Sequence, residues 1–116
     1  MVTDEITARV IGAAYKVSNT LGAGFMEKVY ENALAIEMRK DGLLVEQQKP
    51  ITVYYDGVVV GEYIADLVVE RELLLELKTA QAIDQSHAAQ MLNYLRGTGL
   101  HVGLILNFGT AKLGVK

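Results

Sequence analysis

Three ionisable residues stand out because aliphatic side chains crowd them. Asp66 lies within Ile64-Ala65-Asp66-Leu67-Val68-Val69, and Glu76 and Lys78 lie within Leu73-Leu74-Leu75-Glu76-Leu77-Lys78. Charge set among aliphatic residues is costly to bury unless it is paired or binds metal. Two converging carboxylates offer hard oxygen ligands to Mg²⁺ or Mn²⁺. Such an ion lowers the pKa of bound water and offsets charge on a phosphate oxygen. A lysine beside them can orient or deprotonate the attacking water, or stabilise the charge that builds in the transition state. An ion pair on the solvent face of a sheet would use the same residue types, since such faces commonly alternate polar and apolar positions.

The elements that must position this trio are strands. Residues 58–69 and 73–79 read as two strands joined by the charged turn Glu70-Arg71-Glu72. Side chains alternate along a strand, so Glu76 and Lys78 share a face. A three-residue turn places Asp66 directly opposite Glu76, and directly opposed residues point the same way. Asp56-Gly57 is a strong hairpin signal that joins residues 51–55 to the first of these strands and completes an antiparallel meander. Gly61 is a candidate bulge. Residues 43–46 read as a further short strand.

Helices precede and follow the meander. Ile6, Val10, Ala13, Ala14, Val17 and Leu21 recur at helical spacing over 4–21, with Thr3 as the expected N-cap and Gly22-Ala23-Gly24 as the stop. Val29, Tyr30, Ala33, Leu34 and Met38 give residues 26–40 an apolar side, closed by Gly42. A third helix is expected over 84–96, capped by Asp84, with Ala88, Met91, Leu92 and Leu95 as its stripe. Residues 101–107 are nearly continuous in aliphatic side chains, as a central strand requires, and 112–116 add a short one. The step from 73–79 through this helix to 101–107 reads as a right-handed parallel crossover. The fold class is α/β, a mixed sheet flanked by helices.

At this point the residues resemble a known family. Asp66, nine intervening residues and then Glu76-Leu77-Lys78 is similar to the PD-(D/E)xK nuclease signature, with Ala65 where that signature carries proline. Gly24-Phe25-Met26-Glu27-Lys28-Val29-Tyr30 resembles the GxxExxY motif of a small bacterial family assigned to the same superfamily. The similarity runs over 22–34, 63–78 and 90–95. It implies a restriction-endonuclease-like core in a single domain over residues 1–116, and a nuclease that hydrolyses phosphodiester bonds of DNA or RNA. It further implies Asp66, Glu76 and the Leu77 backbone carbonyl as ligands of Mg²⁺ or Mn²⁺, with Glu27 completing the shell directly or through water, and Lys78 as the residue that positions water. Gln90 and Tyr94, four apart on one side of the third helix, resemble a motif that supports the site and contacts substrate in related exonucleases. Glu27 on residue type alone is a first-turn glutamate suited to the helix dipole. Gln90 and Tyr94 likewise read as a polar helix face, and Tyr30 reads as packing.

Composition sets the outer bounds. The chain has 116 residues, 51% apolar and 22% charged, enough for a core of its own. With no cysteine, thiolate catalysis, disulfides and cysteine-ligated metals are excluded. Eleven Lys and Arg against fourteen Asp and Glu give a net charge of −3, a poor basis for tight non-specific grip on duplex DNA. The two histidines, His87 and His101, have no metal spacing. No apolar run reaches a membrane span, and the acidic start Met1-Val2-Thr3-Asp4-Glu5 does not resemble a signal peptide, so the expectation is a cytoplasmic protein without membrane contact. The small size favours a homodimer for gripping a duplex, and tyrosine-rich strand surface permits one. The alternative to an enzyme is a non-catalytic nucleic-acid-binding or protein-interaction module that retains a nuclease-like fold.

Overall fold

The computed structural model describes residues 2–80, 85–100, 102–110 and 112–116. The elements follow as α1 Thr3–Leu21, α2 Glu27–Lys40, β1 Val45–Tyr55, β2 Val58–Val69, β3 Leu73–Lys78, α3 Gln85–Thr98, β4 Val102–Asn107 and β5 Gly114–Val115. Ile6, Val10, Ala14 and Val17 bury one stripe of α1, spaced by three or four residues as an amphipathic helix demands. Thr3 does not cap α1. It lies inside the helix, Val2 holds the cap position, and the Thr3 hydroxyl donates to Glu72 Oε2 at 3.2 Å. The hydroxyl expected to serve the helix end ties it to the β2–β3 turn instead.

α2 closes as its sequence foretells. Gly42 takes φ +81°, its N–H donates to Arg39 O at 3.0 Å, and Leu43 N–H donates to Met38 O at 3.1 Å. This six-to-one and five-to-two pair satisfies carbonyls that a helix end leaves without partners, and the left-handed position suits glycine. The strands expected separately over 43–46 and 51–55 are one strand, β1. Pro50 does not divide it, because β1 is the edge of the sheet and a proline there has an open side for its missing N–H. The bulge falls beside Gly61: Val53 pairs with Gly61 and Tyr54 with Val59, which leaves Val60 as the extra residue.

The sheet order is β1-β2-β3-β4-β5. β1, β2 and β3 form the antiparallel meander, β4 lies parallel to β3 after α3, and β5 returns antiparallel to β4. β3 and β4 are therefore interior strands, which explains their near-continuous aliphatic sequence. Leu67, Val69, Leu73, Leu75, Leu77, Leu104 and Leu106 pack with the stripes of α1 and α2. Val68, Leu74 and Ile105 pack on the other face with Met91 of α3. Asp84 and His101 lie outside the described residues.

The C-terminal ends of β3 and β4 are held together by backbone. Phe108 N–H donates to Lys78 O at 2.9 Å, and a Cβ on Gly109 would sit 2.3 Å from Ala80 O and 2.5 Å from the Thr79 carbonyl carbon. Only glycine permits that approach, since rigid backbone cannot give way. A Cβ on Gly103 would meet Met91 Sδ at 2.3 Å, but there the neighbour is a flexible side chain. Gly109→Ala is therefore expected to cost about 2–3 kcal/mol in urea unfolding, and Gly103→Ala less, as overpacking against backbone and against a methionine differ.

Candidate active site

The β2–β3 turn sets the register. Val69 pairs with Leu73 around Glu70, Arg71 and Glu72, and Glu70 and Arg71 both take positive φ, +53° and +56°. The ladder continues through Val68↔Leu74 to Leu67↔Leu75. One further step in that register sets Asp66 against Glu76. There the ladder ends, and a side chain takes over from the backbone: Leu77 N–H donates to Asp66 Oδ2 at 2.8 Å.

Asp66 also marks a rotation of β2. Leu67 and Val69 pack towards α1 and α2, whereas Tyr63 and Ala65 join the cluster under α3. Strict alternation would put all four on one face, so the strand turns about its axis between Ala65 and Leu67. β1 turns with it: Val45 belongs to the first cluster and Ile51 to the second. From Val45↔Val69 to Val53↔Gly61 the two strands keep one register, and the position absent from that run is Gln48 with Asp66.

On β3, Leu73, Leu75 and Leu77 face α1 and α2 and Leu74 faces α3. Alternation puts Glu76 and Lys78 on the α3 side. Glu76 is 9% exposed. Among the described residues its Oε1 is the buried side-chain oxygen or nitrogen that lacks a hydrogen-bond partner. Burial first, and then the negative charge of Asp66, push the Glu76 carboxyl up from 4.5 to about 8, with the Lys78 ammonium opposing. Asn107, buried and paired in register with Lys78, completes this corner, its Oδ1 accepting the Gly109 N–H at 3.0 Å. By sequence Asn107 was only the end of an aliphatic strand.

The structure brings Asp66, Glu76 and Lys78 together. It does not bring Glu27 to them. Glu27 is exposed in the first turn of α2, and among the described residues no three Asp, Glu or His side chains form a metal-ligating group. The buried glutamate of α2 is Glu31, which accepts hydrogen bonds from Lys28, Gln47 and Gln48. Helical spacing alone does not single it out, since Glu27 stands at the same kind of spacing from the buried Tyr30 and Leu34 as Glu31 does from Ala35 and Met38. Gln90 is exposed on α3, and the side chain of Tyr94 lies outside the described residues. Tyr30 is a packing residue: it stacks on Phe108 at 4.7 Å, its hydroxyl donates to Gly22 O at 2.6 Å and accepts from Phe25 N–H at 3.2 Å.

A family model for the PD-(D/E)XK nuclease superfamily matches residues 4–116. The chain belongs to the PD-(D/E)XK nuclease superfamily. Neither curated proteins nor solved structures yield a match. The five-stranded sheet with parallel and antiparallel pairs between helices is compatible with the restriction-endonuclease-like fold of this superfamily. Among the described residues no helix is long and apolar enough to cross a membrane.

A PD-(D/E)XK nuclease typically uses a divalent metal ion, and the residues here fit one. Two adjacent carboxylates, one with an oxygen that is buried and unpartnered among the described residues, supply hard donors, with the Lys78 ammonium as the cation acting on Glu76. Mg²⁺ commonly takes one or two carboxylates and keeps several waters, so two acidic side chains suffice. In the metal-free chain the elevated Glu76 pKa has a stability consequence. Between about 4.5 and about 8 the folded state binds more protons at Glu76 than the unfolded state does, so stability falls as pH rises through that window. Urea unfolding from pH 5 to 9 with chelator present should show a decline of up to about 1.4 kcal/mol per pH unit. Glu76→Gln, which imitates the protonated form, should flatten it and exceed the wild type in stability at pH 8.

Proposed function

We propose that the chain is a metal-dependent phosphodiesterase that hydrolyses DNA or RNA. One observation carries the reading: among the described residues a buried carboxyl oxygen of Glu76 has no hydrogen-bond partner, and it stands beside Asp66 with Lys78 two residues on. Asp66 and Glu76 would hold Mg²⁺ or Mn²⁺. The Leu77 carbonyl is a third donor, since a strand residue projects N–H and C=O to the same edge and the Leu77 N–H already meets Asp66. When bound, the ion supplies an acidified water and charge compensation on the phosphate. Glu27, exposed on α2, is assigned at most a contact through water.

The remaining roles belong to the chain's own groups. Lys78 holds its ammonium on the face shared with Glu76, where it orients the attacking water and stabilises negative charge on the phosphoryl oxygens. The Asp66–Leu77 hydrogen bond fixes one carboxylate, so ligand geometry does not depend on a flexible loop. Gln90, exposed on α3, and Tyr94 one turn later are assigned to substrate contact. A small acidic chain gives a duplex little surface. A second copy paired through the exposed Tyr54, Tyr55, Val58 and Val59 of the β1–β2 tip would extend it.

Single-turnover cleavage of short single- and double-stranded DNA and RNA, with Mn²⁺ and with chelator, tests this reading. Lys78→Ala should lower the rate by about 10²–10³-fold, the cost of one preorganised electrostatic partner. Its Mn²⁺ affinity should stay within about threefold, because Lys78 donates no ligand. Asp66→Ala should lose both binding and cleavage. Equal residual rates in wild type and Lys78→Ala on every substrate would identify a binding module that keeps the nuclease fold.

A further inference from the structure

Two consecutive residues of β1 reach one buried carboxylate. Gln47 Nε2 donates to Glu31 Oε2 at 2.7 Å, and Gln48 Nε2 donates to Glu31 Oε1 at 2.5 Å. Neighbouring side chains of a regular strand point to opposite faces, so one backbone position must break the alternation. Gln48 does so with φ +51°, a left-handed conformation uncommon for a residue other than glycine. Its side-chain partner is Glu31, 3% exposed on α2 and paired with Lys28 Nζ at 2.9 Å. Arg39 fixes the neighbouring Gln47 by donating to its Oε1 at 3.1 Å and to Val45 O at 3.0 Å.

Directly across the ladder from Gln48 stands Asp66, at the position missing from an otherwise unbroken run of pairs. Both strands exchange their faces there. The Asp66 carboxylate meets the β3 backbone at the Leu77 N–H. A regular β1 would keep Asp66 in strict alternation, pointing off one sheet face.

We propose that Glu31, acting through Gln48, is a positioning residue for Asp66: their buried hydrogen bond holds β1 in the left-handed step that opens the ladder and aims Asp66 at β3. The consequence for metal binding rests on the function proposed above. Glu31 touches neither substrate nor metal in this role. It acts through a backbone conformation.

The test uses the full ¹⁵N-labelled chain with two readouts, the Leu77 amide resonance without metal and the affinity for Mn²⁺ alone by electron paramagnetic resonance. Gln48→Glu sets two carboxylates against each other and breaks the tether. It should shift the Leu77 amide and weaken Mn²⁺ binding by about tenfold, the scale for groups that orient a ligand. The exchange Glu31→Gln with Gln48→Glu restores one donor to one acceptor, and should return the amide to its place and the affinity to within about threefold, as coupled partners do. If Gln48→Glu does not fold, Gln48→Ala, which deletes the tether and lacks glycine's freedom to hold the left-handed step unaided, is read the same way. Val10→Ala, a core change on α1, should lower stability without moving either readout. An unmoved Leu77 amide in the tether variant overturns the inference and leaves the metal site standing. A wild type that binds no Mn²⁺ overturns the proposed function, and the Leu77 amide still decides whether Glu31 positions Asp66.

Discussion

A carboxyl group buried in the middle of an aliphatic strand is the constraint around which the rest of the molecule is arranged. Glu76 sits on β3, an interior strand whose neighbours Leu74, Leu75 and Leu77 are buried. Glu76 is 9% exposed, so its charge is resisted by burial and by Asp66 together. Such a group is tolerated only where it is neutral, paired or bound to a cation. The Lys78 ammonium offers partial compensation, and among the described residues the Oε1 oxygen has no hydrogen-bond partner. In a stability-only design an apolar residue would serve this position better, which is the physical reason to read it as a site.

Around that group the fold supplies rigidity from three directions. The parallel pairing of β3 with β4 seats Lys78 against Asn107, and the approach of Gly109 to the Thr79–Ala80 backbone closes the strand ends. The three-residue β2–β3 turn sets the register that carries Asp66 to Glu76. α2 acts at a distance: its buried Glu31 ties down two glutamines of β1, and β1 and β2 exchange faces at that level. Tyr30, one residue earlier on α2, binds the glycine loop through its hydroxyl and stacks on Phe108 just beyond β4. The motif that surrounds Glu27 thus has a packing rationale in Tyr30.

Much of this was legible in local pattern. The stripe Ile6, Val10, Ala14 and Val17, the glycine stop at Gly42, the Asp56-Gly57 hairpin and the aliphatic run of β4 each follow from periods and backbone preferences that act within a few residues. The odd-length turn over Glu70–Glu72 was enough to oppose Asp66 and Glu76, because register in a tight hairpin is a local property. The Thr3 cap and the separation of strands 43–46 and 51–55 differ from the structure for one shared reason. Whether a hydroxyl caps its own helix, or a proline interrupts a strand, depends on what lies alongside, and Glu72 and the open edge of β1 are distant in the chain.

By itself, then, the sequence determined which residues carry charge into aliphatic strands, and that Glu76 and Lys78 share a face, since alternation and turn length need no tertiary contact. Only the tertiary structure decided the environment of those charges. Burial of Glu76 depends on the place of β3 inside the sheet, where it pairs with Ile105 of β4, and the choice of Glu31 over Glu27 as the buried glutamate of α2 depends on how that helix rolls against β1. The break in alternation at Gln48 and Asp66 likewise arises from a contact between residues seventeen apart in the chain, Glu31 and Gln48. No pattern within one strand encodes a rotation that a helix outside the strand enforces.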